Sequence, residues 1–195
     1  MSFKVVFIGE GRVGKTSIGK RWTEGKFDAT IRSTVSAALF EKSVQIGTKT
    51  VGINLWDTAG QEEYHSLTPI YYKDADAAIL VYSVTDMNSF EKMKQWKREL
   101  TTSRGDDIKI FVVGNKTDLP SMRVVKKEDG EEFAKGINAA FYEVSAKTGS
   151  NIDTLFLRIA EGLLTLPPKP TGPSRKSKSM QITDKVETES QGGCC

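Results

Sequence analysis

The chain has 195 residues, 38% of them hydrophobic and 27% charged, with a formal net charge of +3. That balance suits one folded body with its own core and excludes a membrane-spanning bundle, because the longest apolar run, 77–82 "AAILVY", is far shorter than the roughly 20 residues a span needs. So small a net charge argues against a nucleic-acid footprint; a single histidine, His65, with both cysteines at the very end leaves neither a zinc site nor a disulfide framework.

The opening "MSFKVVFIGEGR" is too brief for a secretory leader, has no small-residue cleavage site, and lacks the Met-Gly start of myristoylation. The expectation is a chain made and kept on the cytosolic side. Strands are expected over 3–8, 38–46, 50–56, 77–84, 108–113 and 141–144. The runs "VVFI", "AAILVY" and "IFVV" are apolar at every position, as in strands covered on both faces. The pair 38–46 and 50–56 alternates more and is joined by "GTK", which predicts a hairpin at one edge. Helices are expected over 15–24, 88–102, 128–136 and 151–165. The second sets Phe90, Met93, Trp96 and Leu100 along one side, and the last sets Ile152, Leu155, Phe156, Ile159 and Leu163 on one face, with Ser150 and Asp153 as its capping pair. Strand–helix alternation of this kind predicts a doubly wound α/β sheet. From Pro167 the chain is rich in Pro, Gly, Ser and charge, with five basic residues against three acidic. The expected division is a folded body over 1–166 and a disordered tail over 167–195.

Four motifs fall at strand ends. Gly9-x-x-x-x-Gly14-Lys15-Thr16 follows the first strand and opens the first helix. Glycines there let the N–H groups of Gly11, Arg12, Val13, Gly14, Lys15, Thr16 and Ser17 face a polyphosphate at a helix N-terminus. Lys15 can reach the β- and γ-phosphates, and the Thr16 hydroxyl can ligate Mg²⁺. In "LWDTAGQ", 55–61, Asp57 can stand behind a metal-bound water, Gly60 can offer its N–H to a γ-phosphate, and Gln61 can orient an attacking water. In "GNKTD", 114–118, Asp118 can accept two parallel hydrogen bonds from guanine, which adenine cannot make. In "SAK", Ser145, Ala146 and Lys147, the Ala146 N–H can meet guanine O6. Each has a bland reading as an ordinary turn when taken alone; order and spacing supply the weight.

With these four motifs in order, residues 3–166 resemble the small GTPases of the Ras superfamily, a P-loop NTPase fold with a mostly parallel six-stranded sheet, one antiparallel edge strand and about five helices. The resemblance implies that Phe27 packs on the guanine beside Asn115 and Lys116, and that Thr34 ligates Mg²⁺ when GTP is bound. It further implies that Gly11 leaves room at the γ-phosphate and that Gln61 is the catalytic residue. Within the superfamily "WDTAGQEEYHSLTPIYYKDADAAILVYSVT" resembles the Rab proteins, and "SAALF", "YHSL" and "PIYY" their early-endosomal group. This implies an effector surface at Leu39, Trp56 and Tyr71, although Rabs usually have an aromatic at the position of Leu39 and an arginine at that of Glu63, and Val35-Ser36 replaces Ile-Gly. The closing "GGCC" resembles the double-cysteine end that carries two geranylgeranyl groups on Cys194 and Cys195. The implied life cycle is a GTP/GDP switch in endocytic vesicle trafficking on the cytoplasmic face of early endosomes. Its implied partners are an exchange factor, a GTPase-activating protein, a GDP-dissociation inhibitor, an escort protein and GTP-dependent effectors, with no nucleic acid. Two rivals stand beside it: a nucleotide-bound scaffold that does not turn over, and an ATP-dependent phosphoryl-transfer enzyme.

Overall fold

The computed structural model describes residues 1–30, 38–57, 73–105 and 108–167. Six strands form one sheet in the order β2-β3-β1-β4-β5-β6. They are β1 Ser2–Ile8, β2 Ala38–Ile46, β3 Lys49–Asp57, β4 Ala77–Ser83, β5 Lys109–Asn115 and β6 Ala140–Glu143. Neighbours are parallel except at the edge, where β2 runs antiparallel to β3 with Ile46 opposite Lys49. The described residues hold four α-helices, α1 Lys15–Glu24, α2 Met87–Arg104, α3 Lys127–Gly136 and α4 Ile152–Leu164, with a 3-10 turn at Pro120–Met122. The expected sheet, edge hairpin and the four helices given ranges are present, with 15–24 and 38–46 matched at both ends and the other ends within two residues.

Strand pleating sorts the apolar residues into two cores. Val5, Phe7, Ile79, Val81 and Val113 point to one face, where Ile18 and Trp22 of α1 and Leu155, Phe156 and Ile159 of α4 cover them. Val6, Ile8, Leu80 and Val112 point to the other, beneath Phe90, Met93, Trp96 and Leu100 of α2 and Ala134 of α3. Helices on both faces explain why every residue of β4 is buried. Trp22 stacks on Phe156 with ring centroids 3.8 Å apart, joining α1 to α4. The parallel strands end together at one rim of the sheet, where ligands of such folds bind.

One expectation fails at the start of α4. Asn151, not Ser150, precedes the helix, in a left-handed conformation with φ 59 and no side-chain cap. Its amide Nδ2 instead donates to the Glu143 carbonyl at 2.8 Å. Ser150 is likewise committed backward, since its carbonyl accepts from the Ser145 N–H at 3.1 Å. With Asn151 in the N-cap position, Ser150 and Asp153 are out of the register a capping pair needs, so no Ser150/Asp153 capping pair forms.

Tyr82 carries an anomaly within the second core. Its hydroxyl is buried with no hydrogen-bond partner among the described residues, and burial, helped by Glu143, pushes its ionisation far above the usual tyrosine range. Tyr82→Phe removes an unsatisfied polar atom while keeping the ring, so stability should hold or rise by up to about 1 kcal/mol. Urea unfolding of the two proteins checks this. A loss of comparable size would mean the hydroxyl has a partner of real strength.

Candidate nucleotide-binding site

The loop between β1 and α1 turns sharply. Arg12, exposed, takes φ 65, and Gly14 takes φ 97 as the residue before α1. Val13 is buried, Gly11, Gly14, Thr16 and Ser17 are half-buried, and Lys15 is buried at the first position of the helix. The Lys15 Nζ donates to the carbonyls of Gly9 at 2.7 Å and Glu10 at 2.9 Å. Burial pulls this ammonium down to about 8, against the opposing pull of Asp57 and Glu10. An ammonium so poorly solvated gains strongly from any anion delivered to the loop. Glu10 itself is tied outward, its Oε1 accepting from Trp96 Nε1 of α2 at 3.3 Å.

The Thr16 hydroxyl donates to Asp57 Oδ2 at 2.5 Å, across 41 residues of sequence. Asp57 ends β3 and is fully buried. A hydroxyl and a buried carboxylate beside a phosphate-type loop are hard oxygen donors, the set that suits a small divalent cation such as Mg²⁺.

The second half of the site lies at the ends of β5 and β6. Asn115, the last residue of β5, is buried. Its Nδ2 donates to the Val13 carbonyl at 2.8 Å, and its Oδ1 accepts from the Ala146 N–H at 3.1 Å. One side chain thus joins the "GRVGKT" loop to the "SAK" loop. Lys116 follows with φ 72, its ammonium lowered by burial against the pull of Asp86 and Asp118. Asp118 is half-buried, and its Oδ1 accepts from the Ser145 hydroxyl at 2.7 Å. That hydroxyl in turn accepts from the Thr148 N–H at 3.1 Å. A carboxylate oriented in this way keeps acceptor capacity for two further donors. Ala146 is buried and Lys147 exposed. The Ala146 N–H, expected to meet a guanine O6, already serves Asn115, so contact with a base there is a shared or exchanged bond. Phe27 is 37% exposed, beyond the end of α1.

Of the expected effector surface, Leu39 on β2 and Trp56 on β3 are directly paired across the hairpin, which puts them on one face. Leu39 is 47% exposed, and Lys4 Nζ lies 5.0 Å from the centre of the Trp56 ring. Thr34, Gly60, Gln61, Tyr71, Cys194 and Cys195 lie outside the described residues, as do Val35, Ser36 and Glu63.

Sequence reasoning missed Arg21. On α1, its Nε donates to the Ala146 carbonyl at 2.8 Å, Nη2 to that of Lys147 at 2.5 Å and Nη1 to that of Gly25 at 2.7 Å. A basic residue in the last turn of a helix reads as a solvated one, and nothing in its neighbourhood in sequence signals partners 125 and 126 residues away.

The Ras family model matches residues 4–165 of this chain. The chain is 41% identical over 203 aligned residues to Ras-related protein Rab-21 of Mus musculus, covering all of this chain and 91% of the relative. It is 40% identical over 204 residues to Ras-related protein Rab-21 of Homo sapiens, with the same coverage. To Ras-related protein Rab-21 of Geodia cydonium it is 44% identical over 165 residues, 85% of this chain and 72% of that one. The β1–α1 loop and the loop after β6 meet on Asn115, in a chain matched along its folded length, and this leaves one conclusion. The chain belongs to the Ras family and, within it, to the Rab small GTPases, which bind guanine nucleotide, hydrolyse GTP and regulate vesicle traffic.

Proposed function

We propose that this GTPase works as a switch whose nucleotide spans the two loops joined by Asn115. That junction, with Val13 and Ala146 as its two ends, is the observation that carries the reading. Gly11, Arg12, Val13, Gly14, Lys15, Thr16 and Ser17 receive the phosphates, and Phe27, Asn115, Lys116, Asp118, Ser145, Ala146 and Lys147 receive the guanine. A Mg²⁺ ion held by Thr16, Thr34 and Asp57, the last through a water, would offset phosphate charge. Lys15 neutralises the β- and γ-oxygens, and Gly60 donates its N–H to the γ-phosphate. Gln61 aims a water at the γ-phosphorus in line with the bridging oxygen. The new P–O bond forms as the bond to GDP breaks, and inorganic phosphate leaves. Loss of the γ-phosphate then releases Thr34 and Gly60, and with them the surface that effectors read.

Regulators and effectors follow from membership of the Rab group. The finer assignments are an exchange factor, an activator supplying an arginine in trans, a GDP-dissociation inhibitor with an escort protein, and effectors docking on Leu39, Trp56 and Tyr71. Residues 1–166 form the GTPase body and 167–195 a tether ending in geranylgeranylated Cys194 and Cys195, which hold it on the cytoplasmic face of early endosomes. No helix among the described residues is long and apolar enough to cross a membrane, and two lipid chains give the stable attachment that one does not.

Single-turnover hydrolysis of bound GTP, wild type beside Gln61→Leu with ATP as competitor, tests the reading. The substitution should slow hydrolysis at least about tenfold, roughly 1.4 kcal/mol of barrier, and excess ATP should leave the wild-type rate alone. Wild-type protein that binds GTP and never turns it over would favour a nucleotide-bound scaffold. Displacement by ATP would favour a phosphoryl-transfer enzyme of different base preference.

A further inference from the structure

Arg21 has no part in the reading above, yet it makes three hydrogen bonds to the polypeptide backbone around the proposed base site. Nε and Nη2, which lie along one edge of the guanidinium, donate to the consecutive carbonyls of Ala146 and Lys147. Nη1, on the far side, donates to Gly25, the residue that ends α1. The side chain runs under the loop, with its Cδ 3.7 Å from where a Cβ on Gly149 would sit. Among the described residues its hydrogen-bond partners are all backbone carbonyls. A guanidinium spent on three neutral oxygens adds no net charge pairing; what it adds is position. Its planar fork fixes the spacing and direction of both carbonyls in a way a lysine cannot.

The consequence follows from what else those two backbone units do. The Ala146 N–H donates to Asn115 Oδ1, a side chain assigned above to the base, and a rigid peptide plane couples each carbonyl to the N–H of the next residue. Fixing the Ala146 carbonyl therefore fixes the Lys147 N–H. Gly25 is two residues before Phe27, so the same guanidinium holds the start of the segment that bears the aromatic. The other end of α1 is Lys15 and Thr16 of the phosphate loop. One helix thus carries the phosphate contacts at its N-terminus and, through Arg21, a clamp on the base loop at its C-terminus.

We propose that Arg21 is a positioning residue for guanine recognition, holding the Ala146–Lys147 backbone and the approach to Phe27 in register so that the site selects a base with an O6 acceptor and retains it. The inference rests on the guanine-site assignment above. Arg21 acts through the loop, its bonds going to the carbonyls of Ala146, Lys147 and Gly25, so its loss should fall on base selection and nucleotide release rather than on the hydrolysis rate constant of bound GTP.

The test uses full-length protein with Arg21→Ala and Arg21→Lys, and two ligands, GDP and the diphosphate of 2-aminopurine riboside. The second ligand keeps the 2-amino group that Asp118 would take and lacks both O6 and the N1–H; the N1–H loss falls on Asp118 in wild type and variant alike, so the change in preference between the two proteins reports on O6. Arg21→Ala should speed GDP release by about 10- to 100-fold, as expected for losing charge-assisted bonds at a binding loop, and should narrow the preference for GDP over the analogue by a similar factor. Arg21→Lys, which retains the charge and can satisfy only part of the set, should recover some of the preference. An equal loss for both ligands, or a preference that Arg21→Ala leaves intact in a folded protein, would overturn the inference, because a merely structural role would weaken both ligands alike. Wild-type protein with no preference for GDP over the analogue would instead sink the guanine-site assignment itself, which keeps the two failures apart.

Discussion

Gly14→Ala should cost the protein its nucleotide. A methyl at this position would stand 2.4 Å from Asn115 Nδ2, and the backbone there has φ 97. The left-handed conformation costs an alanine about 1–2 kcal/mol, but the clash matters more. Asn115 cannot retreat without breaking its bonds to the Val13 carbonyl and the Ala146 N–H, and each buried group left unmatched costs about 1–3 kcal/mol. Without nucleotide the two loops can relax apart, so most of the penalty falls on the joined arrangement that binding requires. An expected total near 4 kcal/mol lowers GDP affinity by about 10³-fold. Gly25→Ala is the control, since it has φ 69 and nothing within 4 Å of the added methyl; it should show the conformational strain and little else. Fluorescent-GDP titration of both variants decides the matter. Equal effects at the two positions would mean that the Asn115 junction is not what binding depends on.

Asp118→Ala should remove most of the base selection while sparing the fold. The carboxylate is only half-buried, and the bond it accepts from Ser145 leaves that hydroxyl its second contact, to the Thr148 N–H. Removing the side chain therefore orphans no buried backbone group. What is lost is a charged acceptor for two donors of the base, each such bond contributing about 1.5–3 kcal/mol. GTP affinity should fall by about 10²- to 10⁴-fold, whereas ATP, which never used the carboxylate, should bind as weakly as before. Ser145→Ala, which frees the carboxylate to rotate, should give a smaller loss in the same direction. Competition of ATP against labelled GDP measures both. If Asp118→Ala kept the wild-type ratio of the two nucleotides, the base would have to be read elsewhere.

The two variants act on different kinds of residue. Gly14 matters because of what stands opposite it in space, and Asp118 because of what it can accept. The second kind of importance was legible in "GNKTD", since a carboxylate's chemistry travels with the residue. The first was legible only as a glycine in a pattern. Where the expectations moved, the cause was a contact outside the element itself. β5 runs on to Asn115, so the residue that joins the loops sits at a strand end rather than in a loop. The capping pair expected at Ser150 and Asp153 gave way because Asn151 and Ser150 bond backward to Glu143 and Ser145.

Periodicity and the motifs were enough, in sequence alone, to determine the alternation of strands and helices, the two-sided burial of β1, β4 and β5, and the order of the phosphate and base motifs. Those features depend on side chains within a few residues of one another. The tertiary structure decided which donor meets which acceptor: Lys15 on the carbonyls of Gly9 and Glu10, Asn115 between Val13 and Ala146, and Arg21 on Ala146, Lys147 and Gly25. In these contacts one partner is a backbone carbonyl or N–H, a group that nearly every residue carries. Such a partner leaves no mark in the sequence, and only the fold selects it, at its furthest by bringing Asn115 to Val13 and Arg21 to Ala146 and Lys147, more than a hundred positions apart, at one rim of the sheet.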